Sequence, residues 1–203
     1  MRAEFGTRGI MAILVFVAFV ACSQITNDPD DGSVATDQWT DPASGLTWQL
    51  ESLQQEASWE DATTFCEGAT LAGYDDWHLP TISELRTLIR GCDATETGGS
   101  CGVTDTCLTA CSEGKSRSVN TTQDPCEDSC SDASCFSCEA GDGPNNGCYG
   151  PPELVGSCGS FWSSSAIEDA ESAAWFIDFS RGGVRDCRAV NYCVGDYAVR
   201  CVR

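Results

Sequence analysis

The chain is poor in histidine and in positive charge. His78 is its single histidine, and 11 Lys and Arg face 31 Asp and Glu, a formal net charge of −20. One histidine without a nucleophile elbow supports no Ser-His-Asp triad. An acidic surface repels phosphate backbones and sulfated polymers, which argues against nucleic-acid binding. Long apolar runs are also absent. The longest, Ile10 to Ala21, has 12 residues, whereas a membrane-spanning helix needs about 20. No calcium-binding EF-hand loop is present. Between Cys92 and Cys158 the large apolar residues thin out to Val103, Leu108, Val119, Phe136, Tyr149, Leu154 and Val155.

Cysteine, by contrast, is abundant, with 15 residues. Arg2 and Arg8 precede the apolar run, which ends Phe19-Val20-Ala21-Cys22. A positive segment, a short apolar segment and a small residue before Cys resemble the bacterial lipobox. This pattern predicts residues 1–22 as a lipoprotein signal with Cys22 acylated, and an exported protein anchored to the bacterial envelope, at the outer membrane or cell surface. The remaining 14 cysteines are an even number suited to disulfides in an oxidising compartment. Residues 23–37 are polar and lack aromatics, and read as a flexible tether. Removing Arg2, Arg8 and Glu4 with the signal leaves 9 basic and 30 acidic residues, a mature charge of 9 − 30 = −21. Partners should therefore be neutral, cationic or bridged by a divalent cation.

Residues 38–203 suit one domain, interrupted by a Cys-rich insertion at 92–158. That insertion holds ten Cys, with 11 acidic and 2 basic residues. With so little apolar surface it is expected to depend on disulfides and to be separable from a core built by the flanks. Asp41-Pro42-Ala43-Ser44-Gly45 reads as a turn before a short strand at Leu46–Gln49. Ser58 and Asp61 have capping-box spacing ahead of a helix carrying Trp59, Ala62, Phe65 and Cys66. Thr81 and Glu84 form a second capping box, after Pro80, for a helix whose apolar face is Ile82, Leu85, Leu88 and Ile89. Strands are predicted at 161–165, 174–179, 184–188 and 197–202, with a turn at Ser180-Arg181-Gly182-Gly183. The class is α+β.

The segments DPASGLTWQ, ASWEDATTFCEGATLAGYDDWHLPTISELRTLI, FWSSS and AWFIDFSRGGV…YAVRCVR resemble the DUF1566 family, the C-terminal domain of Legionella collagen-like proteins. The Asp76-Trp77-His78-Leu79-Pro80-Thr81…Glu84-Leu85 signature is the most specific part. The resemblance implies a C-type-lectin-like fold of two helices and an antiparallel β-meander, here with a long disulfide-rich insertion. It also implies a Cys66–Cys201 bridge between the first helix and the last strand. The Legionella proteins bind sulfated glycosaminoglycans, a ligand at odds with a charge of −21. Cys187 and Cys193 can pair locally across a hairpin. The ten insertion cysteines are expected to pair among themselves, with Cys92–Cys158 an attractive closure, though spacing leaves their connectivity open.

The remaining chemistry is sparse. Cys135-Phe136-Ser137-Cys138 is a CxxC, but export favours structural disulfides over zinc or redox work. His78 is expected to be structural and partly buried. The calcium and sugar tripeptides of C-type lectins are absent, which argues against calcium-dependent sugar coordination of that type; no metal-site residue and no cofactor is assigned, and the sequence leaves calcium binding itself open. Arg181-Gly182-Gly183, Cys187, Cys193 and Arg200-Cys201 are similar to features of formylglycine-generating enzymes, which makes an oxidase the remote alternative to a non-enzyme. Trp162 and Trp175 could stack on a ligand, but core placement is the commoner role of such residues. The expected ligand face is the C-terminal meander, with Arg181, Arg185, Arg188, Asn191 and Tyr192, since five of the nine mature basic residues fall between Arg181 and Arg203. The leading expectation is a non-catalytic adhesion module for polysaccharide or a cell-surface protein. A ligand-free envelope spacer is the second.

Overall fold

The computed structural model describes residues 37–108, 130–131, 133–136, 138–156, 158–168, 173–187 and 197–203. Cys22, Arg188, Asn191, Tyr192 and Cys193 lie outside these residues. The fold is α+β. A two-stranded ribbon pairs β1 (Gln38–Thr40) with β2 (Thr47–Gln49), placing Trp39 opposite Trp48. The turn between them is tied by Asp41, whose carboxylate accepts from the amides of Ala43 and Ser44 at 3.2 Å each and from the Ser44 hydroxyl at 2.7 Å. Gly45 closes it at φ +77°, a conformation that disfavours a Cβ.

The main sheet has the order β3-β7-β4-β5-β6, from β3 (Leu53–Ala57), β4 (Ser160–Ala166), β5 (Ala174–Asp178), β6 (Gly183–Cys187) and β7 (Tyr197–Val199). Its pairs are antiparallel except β4 with β7, so the expected antiparallel meander holds only for β4-β5-β6: the last strand crosses back to run parallel beside β4 and pairs with β3. Alternate residues of a strand point to opposite faces, and here both faces are covered. Phe161, Trp175, Ile177 and Val184 face one core with Ile82, Leu85, Leu88 and Ile89. Trp162, Ala174, Phe176, Cys187 and Val199 face the other with Ala62, Cys66 and Trp77. This explains why β5 reads as a continuous apolar run. Trp162 and Trp175 are core residues, 3% and 0% exposed. Their indole N–H groups donate to the carbonyls of Ala57 and Cys107, at 2.8 Å each.

Both helices begin where the capping signals place them. Ser58 caps α1 (Trp59–Glu67), and Thr81 with Glu84 forms a complete capping box on α2 (Ile82–Arg86). The α2 helix is short. Bonds from Thr87, Leu88 and Ile89 back to Glu84, Leu85 and Arg86 continue it in tighter i→i−3 turns, which keeps Leu88 and Ile89 buried. The last residues run between two segments: Thr47 and Arg203 exchange backbone hydrogen bonds, as do His78 and Val202. His78 is thus structural through its backbone, but its side chain is 46% exposed and lies 3.3 Å from Glu84.

The Cys66–Cys201 bridge is present and spans 135 residues of sequence. Cys187 is also disulfide-bonded. The expected Cys92–Cys158 closure is not formed. Instead Cys92–Cys138, Cys101–Cys135 and Cys107–Cys130 are nested one inside the next, and Cys148–Cys158 closes a local loop. The reason lies at the β5–β6 turn. The Cys138 amide donates to the Arg181 carbonyl, and a Cβ on Gly182 would stand 2.9 Å from that of Cys92. The turn therefore gathers Cys92 and Cys138, while Cys158 finds a partner ten residues away. The two cysteines of the CxxC have different partners, so that motif is structural.

The insertion is not separate from the core, contrary to expectation. Val103, Tyr149 and Leu154 are buried in the α2-side core, together with Cys92, Cys101, Cys107 and Cys135. Bonded half-cystines supply the apolar mass that a count of aliphatics misses. The buried Arg86 guanidinium donates to the carbonyls of Thr95, Val103 and Glu96, and burial lowers its pKa. Arg200 is buried in the same way, over the Phe161 ring, donating to the Gln49, Leu50 and Val155 carbonyls. Burial lowers its pKa to about 10, so it stays a cation at neutral pH.

Candidate functional site

The C-terminal residues expected to bind ligand are placed at the end of the meander only in part. Arg181 sits on the β5–β6 turn, with half of its side chain exposed and a long 4.0 Å approach to Asp178. Arg185, in β6, is half-buried and donates to the Phe136 carbonyl at 3.1 Å. Other arginines of that cationic stretch have structural work. Arg200 is buried, and Arg203 pairs with Asp76 at 2.8 Å while lying over the Tyr74 ring.

A second feature was not anticipated. A cleft of about 450 Å³ opens between the β1–β2 turn and the end of the insertion. One wall is Trp39, Pro42 and Ala43, and the other is Pro144, Asn145 and the stretch Gly150 to Glu153. Asp41 and Arg90 complete it. The Asp41 carboxylate is buried, which by itself would raise its pKa. The Ser44 hydroxyl, the Ala43 amide, the Arg90 guanidinium and the Ser44 amide outweigh burial and hold it below the ordinary value. Arg90 is pinned in turn: its guanidinium donates to Asp41 at 3.2 Å, to the Ile89 carbonyl at 2.9 Å and to the Thr87 carbonyl. Gly91 stands at φ +80°, where a Cβ would come 2.9 Å from the Pro144 ring, so the far wall is packed directly against the backbone after Arg90. The cleft is therefore preformed.

The model of the Lcl C-terminal domain matches residues 37–203. The chain belongs to the Lcl C-terminal domain family. No curated protein and no solved structure matches it. The match covers every described residue, so both walls of the cleft belong to the Lcl C-terminal domain.

Other chemistry is absorbed by the fold. Cys201 is bonded to Cys66 and Cys187 is bonded as well, so neither is a free thiol. Among the described residues, no group of three or more His, Cys, Asp or Glu could hold a metal ion. Sequence reasoning overlooked the cleft because its walls are about a hundred residues apart in the chain. One signal was available: four of the seven prolines, Pro42, Pro144, Pro151 and Pro152, line it.

Proposed function

We propose that this Lcl C-terminal domain is a non-catalytic binding module of C-type-lectin-like fold, displayed by an exported, lipid-anchored envelope protein. Its ligand is a polysaccharide or a cell-surface protein. The fold reading is supported by the order of two helices before a meander, by the bridge from α1 to the chain end, and by the β3–β7 pairing that brings both ends of the domain together. The functional reading rests on one observation: a preformed cleft with an aromatic and proline surface on a disulfide-stapled scaffold. Such concave, largely apolar sites with few polar groups are the usual form of ligand pockets. Lipid anchorage rests on the Cys22 pattern, and a palmitate analogue should label the full chain but not Cys22→Ala.

Binding separates this reading from a ligand-free spacer. The full chain is screened against immobilised neutral and acidic polysaccharides and against cell-surface protein extracts. Saturable capture is expected, and its weakening by Arg185→Ala, Arg188→Ala or Tyr192→Ala would place the ligand on the meander face. No saturable binding to any of these would favour the spacer.

A further inference from the structure

We infer that the cleft between the β1–β2 turn and residues 144–153 is a subsite for a neutral oligosaccharide. The inference rests on the binding-module reading and assigns it a place and a ligand class. Three residues lining the cleft, the half-buried Trp39 and Asn145 and the exposed Glu153, carry side-chain hydrogen-bonding groups without partners among the described residues: an indole N–H, a carboxamide and a carboxylate. Together they offer a donor, a donor–acceptor pair and an acceptor. A sugar hydroxyl both donates and accepts, so this mixed set suits it. The Trp39 ring and the flat proline faces supply apolar surface for the C–H face of a pyranose.

Charge narrows the class. Asp41 and Arg90 neutralise each other at 3.2 Å, which leaves Glu153 as the net charge of the cleft. Combined with a chain charge of −20, this disfavours sulfated or uronic-acid sugars. A proline-rich peptide is the other ligand an apolar cleft could take. Such peptides dock on aromatic-lined grooves, and this cleft has one aromatic ring against three unpaired polar groups. A saccharide fits that balance better. The volume of about 450 Å³ lies within the range of small-ligand sites, so the occupant is a short segment rather than a whole chain.

The test uses the full chain and three probes: β-linked neutral gluco- and N-acetylgluco-oligosaccharides of two to six units, heparin oligosaccharides, and decaproline. Binding is read by calorimetry, and by the indole N–H resonance lost in Trp39→Phe. The expected result is saturable binding of a neutral oligosaccharide that shifts the Trp39 resonance. Asn145→Ala and Glu153→Ala should each weaken it about tenfold, the scale of one hydrogen bond to a ligand, with an unchanged melting temperature. Neutral-sugar binding that ignores both substitutions overturns the cleft assignment but leaves the binding module standing. Binding of decaproline or heparin alone overturns the ligand class and leaves the module standing. No binding of any probe overturns this inference, while the module reading then rests on the polysaccharide and protein screen above.

Discussion

Excision of the insertion is the sharpest test of how the domain is held. Replacing residues 93–157 by a short Gly-Ser linker, with Cys92 and Cys158 kept, changes loop entropy little, since each doubling of loop length costs only about 0.6 kcal/mol. If the insertion were a separate appendage, the rest would still melt cooperatively. The structure predicts otherwise. Val103 and Leu154 are 0% and 2% exposed, and two such side chains contribute about 3–6 kcal/mol by burial. Tyr149 adds to this, with its amide bonded to the Phe179 carbonyl and its ring against Gly182. Excision also uncovers Trp175 and Ile89 and removes the carbonyls that hold Arg86 and Trp175. The sum is comparable with the whole stability of a domain, about 5–15 kcal/mol. The excised chain should therefore show no cooperative transition by calorimetry or near-UV circular dichroism. Leu154→Ala, a milder change, should cost about 2–5 kcal/mol in urea. A cooperative transition in the excised chain near that of the intact protein would refute the integrated core.

Replacing both Cys66 and Cys201 by Ser opens a 135-residue loop and should cost up to about 5 kcal/mol in the chain-entropy model; urea unfolding checks it, and a loss below about 1 kcal/mol would show that sheet pairing alone joins the ends. Arg86→Leu leaves three carbonyls without their buried donor and should destabilise by about 3 kcal/mol. Arg86→Lys should restore little, because one ammonium cannot reproduce the guanidinium fork; equal stability of Lys and Arg variants would count against the assignment. The Asp41 carboxyl has a folded-state pKa below its ordinary 3.8. A depressed pKa stabilises the fold above the unfolded value and loses that contribution as pH falls through the folded value. Asp41→Asn should therefore lower the melting temperature at pH 6, by a gap that narrows as pH falls below 3.8; a gap that stays constant into acid would exclude a role for the charge.

Local signals in this sequence translate directly into structure. The Ser58 and Thr81 caps, the turn at 41–45 and the apolar face of the second helix are each specified within a few residues, and each is where the chemistry of the backbone demands it. The strands β1 and β3 were not legible. β3 reads Leu-Gln-Gln-Glu-Ala, with no alternation to announce it, and is fixed by backbone pairing to β7 at the sheet edge. Its partner lies more than a hundred residues away, so no local window carries the information.

The same distance effect governs the candidate site. The arginines near the C-terminus stand out as a charge pattern, yet the fold gives several of them backbone carbonyls and carboxylates to hold. A cation that looks free in a sequence of net charge −20 need not be free in the fold, because buried carbonyl oxygens compete with any ligand for it. The cleft is the converse case. Trp39, Arg90, Asn145 and Glu153 carry no joint pattern in the chain, and they meet only because nested disulfides and the Arg86 guanidinium fold the insertion back over the second helix. Thus neighbouring residues of the insertion complete the core, through Tyr149 and Leu154, and one wall of the cleft, through Gly150 to Glu153 between them. Cys148–Cys158 brackets Gly150 to Glu153 as well as the core residues Tyr149 and Leu154; those two are also held by burial and by the Tyr149 amide bond to Phe179, so opening that bridge should loosen the wall before it loosens the core. A Cys148→Ser, Cys158→Ser chain should keep most of its melting temperature yet lose oligosaccharide affinity. If instead affinity survives unchanged, the wall is held by the proline packing against Gly91 rather than by the bridge.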